Sequence, residues 1–200
     1  YIAAMPGLPK EQLDLFNDLQ AIAEGARLGI PLTFSGDRTY NTWGGYIDNA
    51  AYAVGEADPE LVYELYSEYA KESVAIGYHQ VFHTYGNEIG AWYGDEVNYI
   101  AEMTVAQNTA YDDHKFQSHT KHFIARGGRH AYVAAKSPAD LLDSWLVGWK
   151  AAVDAGTRWV MTNNNVGVTP GIHTYFDKTT FDLLRVDLGY DGVVVLDWPL

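Results

Sequence analysis

Apolar positions along the chain switch repeatedly between a helical and an extended spacing, and the order helix then strand recurs five times. From Pro9 to Leu28 (PKEQLDLFNDLQAIAEGARL) they fall at helical spacing, and Gly29-Ile30-Pro31-Leu32-Thr33-Phe34-Ser35 reads as the strand that follows. A long polar loop, 36–58, comes next. Asp58, with Pro59 at the first helical position, opens a helix to about Ala75, and Gly77-Tyr78-His79-Gln80-Val81-Phe82-His83 follows as a strand. A helix over about 95–111 precedes a short strand near 118–124. Ser137-Pro138-Ala139-Asp140 combines a cap, a first-turn proline and an acid three positions on; it opens a helix that closes at Gly156 before a strand over 157–161. Asp177 caps the last helix and Gly189 ends it, just ahead of Val193-Val194-Val195-Leu196-Asp197.

Strands separated by helices imply a parallel sheet. The residues after each strand are polar: Asp37 and Arg38, then His83, then His119, Lys121 and His122, then Asn163, Asn164 and Asn165, then Asp197. Such residues gather where a (β/α) barrel keeps its site, at the carboxyl ends of the strands. A doubly wound sheet would bind at one switch point, normally with a glycine-rich phosphate turn, and neither GxGxxG nor GxxxxGK[ST] occurs. The predicted fold is therefore a parallel (β/α) barrel of TIM type. Eight strands typically need about 250 residues, so the barrel is expected to be incomplete within residues 1–200.

Composition allows a sizeable core, since 48% of the chain is hydrophobic and only 20% charged. The formal charge of -13 opposes nucleic acid and anionic membranes as partners and favours neutral ligands. The longest apolar runs are far short of a membrane span, and residues 1–30 lack a basic start followed by an apolar stretch. Without cysteine there is neither a disulfide nor a thiolate site. The 15 tyrosines and 6 tryptophans suit the apolar faces of sugars as well as a core, and most are read as core.

Asp197 is a carboxylate delivered to a strand's end, although an acid there also suits the cap of a following helix. Lys121 and His122 are adjacent, so in a regular strand they point to opposite faces and share a pocket only where the strand bends or ends. His119 and His122 have no third ligand at metal-binding spacing, and no GxSxG elbow supports a nucleophilic serine. Neither a metal nor another cofactor is expected. Paired carboxylates fit best: one acid as nucleophile and one as proton donor, about 5–5.5 Å apart in retaining glycoside hydrolysis. Asp197 fits the first role, with Glu88, Asp112, Asp113 and Asp37 as candidates for the second.

Gly189-Tyr190-Asp191-Gly192-Val193-Val194-Val195-Leu196-Asp197-Trp198 resembles the nucleophile segment of the glycoside hydrolase family 3 barrel domain, G-F-D-G-x-V-x-S-D-W. Further similarities follow the family's order: Gly29-Ile30-Pro31-Leu32 running to Asp37, Gly94-Asp95-Glu96, Lys121-His122-Phe123, Gly127-Gly128-Arg129, WKAAVDAG from Trp149 to Gly156, Val160-Met161, and Leu183-Leu184-Arg185. The resemblance implies retaining hydrolysis of a terminal, usually β-linked, sugar by way of a glycosyl ester on Asp197. It implies that Asp37, Lys121 and His122 hold sugar hydroxyls, that Trp198 walls the pocket, and that Arg129 and Met161 lie among the substrate contacts. The expected partners are a small-molecule or oligosaccharide glycoside and the rest of the same enzyme, a C-terminal α/β domain or complementary chain that supplies the acid/base. An extracellular or periplasmic location is implied by the resemblance alone.

Departures from the family pattern qualify this. Glu88 stands where the family's sugar-binding arginine falls, and Asn163-Asn164-Asn165 replaces S-Y-N, losing a tyrosine. Asp37-Arg38-Thr39-Tyr40-Asn41 replaces D-x-x-H-G, so Arg38 is a candidate for the missing positive charge. Two other readings stay open: a sugar-binding or regulatory barrel with lost catalysis, and an unrelated barrel aldolase using Lys121 as a Schiff base.

Overall fold

The computed structural model describes residues 9–36, 58–85, 96–125, 133, 136–165 and 167–197, with backbone alone at 9 and 83–85. Five strands, β1 (Ser35–Gly36), β2 (Gln80–Tyr85), β3 (Gln117–Phe123), β4 (Trp159–Thr162) and β5 (Val193–Val195), form one parallel sheet in the order β1-β2-β3-β4-β5. Every strand lies beside its successor, so each right-handed crossover turns the same way and brings its helix to the same face. This is the winding of a barrel. A doubly wound sheet reverses its order at a switch point. Among the described residues β1 and β5 are edges, and the barrel is not closed.

The helices are α1 (Pro9–Glu24), α2 (Pro59–Ala75), α3 (Val97–Asp113), α4 (Pro138–Leu142), α5 (Val147–Asp154) and α6 (Lys178–Asp182). Asp58 caps α2, accepting from the Leu61 N–H, and Val62, Tyr66, Tyr69, Ala70 and Ser73 form its buried stripe. Glu96 caps α3 through the N–H groups of Asn98 and Tyr99, which hold its carboxyl below the usual range. Two clusters fill the layer between helices and sheet. Phe16, Phe34, Tyr69, Val81, Met103 and Phe116 belong to the first, and Phe123, Trp145, Trp149, Val160, Leu184 and Tyr190 to the second.

Residues alternating with Val81 and Val160 line the opposite, inner face. His119 stacks on Trp159 at 4.9 Å between ring centroids and meets the edge of Phe82 at 4.2 Å. Its Nε2 lies 2.6 Å from Gln80 Oε1, while the Trp159 indole N–H donates to Gln117.

Several boundaries differ from the sequence expectation. The helix expected over 137–156 begins with the predicted capping box but breaks after Leu142. Trp145 is drawn into the second cluster, where its indole N–H donates to the Ile124 carbonyl; the Leu146 N–H reaches back to Leu141, and the helix restarts as α5. Tertiary burial here overrides helix propensity. Of the strand expected over 29–35, only Ser35 pairs, together with Gly36, because Pro31 has no N–H and the Gln20 side chain bonds both backbone groups of Leu32. β2 starts at Gln80 rather than Gly77. Gly77 has φ 93°, and a Cβ there would come within 2.9 Å of the Phe16 ring, so this position ends α2 instead of entering the sheet.

Candidate active site

Asp197 lies two residues beyond Val195, whose pairing with Met161 is the last rung between β4 and β5. Its carboxylate is mostly buried, 13% exposed, and His122 Nε2 stands 3.8 Å from its Oδ2. That distance is within electrostatic range and beyond a hydrogen bond. Both Lys121 and His122 are buried, although neighbours on a regular strand diverge. The regular pattern is broken at this point, where the register against β4 shifts between Thr120 and Phe123.

Beneath this edge the electrostatics are asymmetric. Burial, then the positive charge of Lys121, pushes the His119 imidazole down to about 3, so His119 is neutral across the physiological range. Met161 is buried on β4 beside β5. Among the described residues no group of three or more His, Asp or Glu side chains is placed to hold a metal ion.

Asp112 and Asp113, weighed as proton donors, end α3, which feeds the amino end of β3. Asp112 accepts from Arg158 at 3.3 Å and Asp113 from the Tyr63 hydroxyl at 2.8 Å, both near the surface at the end of the sheet opposite Asp197. Neither can partner it. Asp37, Arg38, Glu88, Arg129 and Trp198 lie outside the described residues, as does the segment that would decide whether Asp197 caps a helix.

Of the segment between β4 and α6 the sequence reading named Asn163, Asn164 and Asn165 but missed Thr174 and Tyr175. Asn163, buried just past β4, receives the Asn165 N–H and the Thr174 hydroxyl on its Oδ1, each at 2.7 Å, and its own N–H donates to Phe123. A one-turn 3-10 helix, Thr174–Phe176, then carries Tyr175, whose hydroxyl donates to the backbone carbonyl of Asp197 at 2.9 Å. A tyrosine thus reaches the acid from a part of the chain where no motif announces it.

Sequential parallel strands and polar side chains at the carboxyl edge define the class, a TIM-type (β/α) barrel domain. Solved structures share the architecture: a mutant β-glucosidase from Listeria innocua in complex with laminaribiose superposes with a TM-score of 0.74 at 25% identity, covering 94% of this chain and 28% of that one. A β-N-acetylhexosaminidase from Beutenbergia cavernae gives 0.75 at 18% identity over 97% and 66%, a likeness of fold alone. The model of the glycosyl hydrolase family 3 N-terminal domain matches residues 9–199, and the chain belongs to that family. β-Glucosidase C of Emericella nidulans is 27% identical over 225 aligned residues, covering 94% of this chain and 36% of that protein. A β-xylosidase of Formosa agariphila is 28% identical over 206, covering 86% and 28%. The chain spans about a third of the length of these curated relatives. No helix among the described residues is long and apolar enough to cross a membrane.

Proposed function

We propose that this chain is the nucleophile-bearing part of a retaining, exo-acting glycosidase, of β-glycosidase type, that removes a terminal sugar through a covalent intermediate on Asp197. The observation that carries the reading is the placement of Asp197 past the end of β5, mostly buried and 3.8 Å from His122, in a chain of this family. One Asp197 oxygen attacks the anomeric carbon as the glycosidic C–O bond breaks on the opposite face. The departing oxygen takes a proton from an acid outside the described residues, leaving a glycosyl ester. Water, giving its proton to the same group acting as base, then releases the sugar and restores the carboxylate.

Lys121 and His122 hold hydroxyls of the terminal sugar in this reading. Charge-assisted bonds that tighten as the ring takes on oxocarbenium character lower the barrier rather than merely binding substrate. Asp37, Arg38, Arg129, Met161 and Trp198 complete the pocket, with the remaining barrel strands and a C-terminal α/β domain supplying the acid/base. Action outside the cytoplasm or in the periplasm belongs to the same reading and rests on family likeness.

The test is to incubate the intact natural protein with a 2-fluoro glycoside bearing a good leaving group and map the modified peptide by mass spectrometry. Label on Asp197 is the expected result. Sugar binding with no label anywhere would overturn the hydrolase reading in favour of an inert sugar-binding barrel, and borohydride trapping of a carbonyl substrate at Lys121 would overturn it in favour of an aldolase.

A further inference from the structure

We propose that Tyr175 is a positioning residue for Asp197: its hydroxyl clamps the Asp197 backbone and so fixes the direction from which the carboxylate meets the substrate. The β4–β5 ladder ends at Val195, and Leu196, which follows, is 51% exposed, so Asp197 stands beyond the last rung. The bond from Tyr175 Oη to the Asp197 carbonyl, 2.9 Å, supplies a fixed point beyond the last rung.

Tyr175 is itself held. Its N–H donates to His173 Nδ1, and its ring meets the edge of the His173 ring at 4.5 Å. The preceding Thr174 is buried, donating its hydroxyl to Asn163 Oδ1 and its N–H to the Asn165 carbonyl, each at 2.7 Å. Asn163 in turn donates its N–H to Phe123, the residue after His122. A continuous path, Phe123 to Asn163 to Thr174 to Tyr175 to Asp197, thus ties the ends of β3, β4 and β5 together; it starts at the residue after His122 and ends on Asp197, and those two side chains approach at 3.8 Å. Burial, then the Asp197 negative charge, raises the Tyr175 phenol above its ordinary value, so it remains a donor across the working range of a carboxylate nucleophile.

The inference rests on the nucleophile reading of Asp197, and one measurement separates the two. In the intact protein, the rate of 2-fluoro glycoside labelling at Asp197 is followed against reagent concentration for wild type and Tyr175→Phe. A carboxylate allowed to swing off line should label about 10- to 100-fold more slowly at saturation. Its half-saturating concentration should stay within about twofold, because the contacts that bind sugar are untouched. Equal saturating rates would overturn the clamp while leaving the nucleophile intact. A parallel loss of binding and rate with a lowered melting temperature would also overturn it, as general loosening. Absence of label in the wild type would instead overturn the reading of Asp197. Should Tyr175→Phe fail to fold, Thr174→Val carries the test, since it frees the segment from Asn163 but keeps the phenol; an unchanged saturating rate there would equally overturn the proposal.

Discussion

His119 is fully surrounded by Gln80, Phe82 and Trp159, with a lysine ammonium on the same strand, so a proton on its ring would be desolvated and repelled at once. The folded state holds its imidazole at about 3 against an ordinary 6.5. Between these values the unfolded chain binds a proton that the native one refuses. Stability is therefore full above about pH 6.5, declines as pH falls toward 3, and loses nothing further from this group below that. His119→Phe keeps a ring between Phe82 and Trp159 but cannot titrate. In the intact protein it should flatten the fall in melting temperature between pH 6.5 and 4 while lowering stability at neutral pH by about 1–3 kcal/mol, because Gln80 loses its partner. Part of the acid slope should persist, since burial lowers His79 as well. The opposite sign, a steeper slope in the variant, would refute the account. Asp197→Asn is a sharper chemical test, with labelling expected to fall on the order of 10^4- to 10^6-fold, the scale of removing a nucleophile, and the melting temperature little changed. At this scale the site was half legible. Asp197, Lys121 and His122 stand in motifs, whereas Tyr175 acts on a backbone carbonyl 22 residues away, a contact no spacing rule encodes.

The segment from Asn163 to Asp177 turns strand order into site geometry, and Asp177 anchors its far end. Burial by itself would raise this carboxyl, but bonds from the Thr169 N–H and hydroxyl, the Thr180 hydroxyl and the Thr179 N–H outweigh it and hold it below the usual range. Such a depressed carboxylate stabilises the fold above its unfolded value, near pH 4, and that stability is lost as pH falls through the folded value. Only glycine fits at 167, where a Cβ would run into Asp177 and come within 2.7 Å of Thr180 Oγ1. Asp177→Ala should cost about 1–3 kcal/mol, since it strips partners from several buried donors at once. It should also slow labelling of Asp197 through the loosened Tyr175; thermal melts and labelling rates measured together would expose an effect on one without the other. The cap was readable from Asp177 ahead of a helical run, and the capping box at Ser137 likewise. The break at Trp145 was not, because the ring's burial beside Ile124 is a tertiary gain that periodicity does not carry. The Thr169–Ile172 turn, with Gly171 at φ 77° after Pro170, had a readable signature, but nothing local says that it aims Tyr175 at another strand.

Parallel direction and sequential order follow from alternating helices and strands once a phosphate-binding turn is absent, which is why the barrel class was legible at the scale of the molecule. Closure is not a local property, and the described sheet has edges at β1 and β5. Large apolar side chains lie bare at both ends, Ile30 at 65% and Leu32 at 40% beside β1, Val193 at 46% in β5 and Leu196 at 51% just after it. Open parallel edges flanked by apolar surface invite pairing with other chains. Among the described residues the inner layer of His119, Trp159 and Phe82 also has no strands to roof it as a complete barrel does. Residues 1–200 expressed by themselves should therefore retain helix signal yet bind a hydrophobic dye, melt without a sharp transition and form oligomers that grow with concentration. The same residues within the intact protein should show slow amide exchange through β2, β3 and β4. Edge pairing predicts that charges placed on β5, as in Val193→Lys, suppress the oligomers without restoring a cooperative melt, because they blunt association but do not cover the inner layer. A sharp melt of the excised segment, with dispersed amide resonances, would instead mean that the two core clusters on the helix side suffice for a native fold.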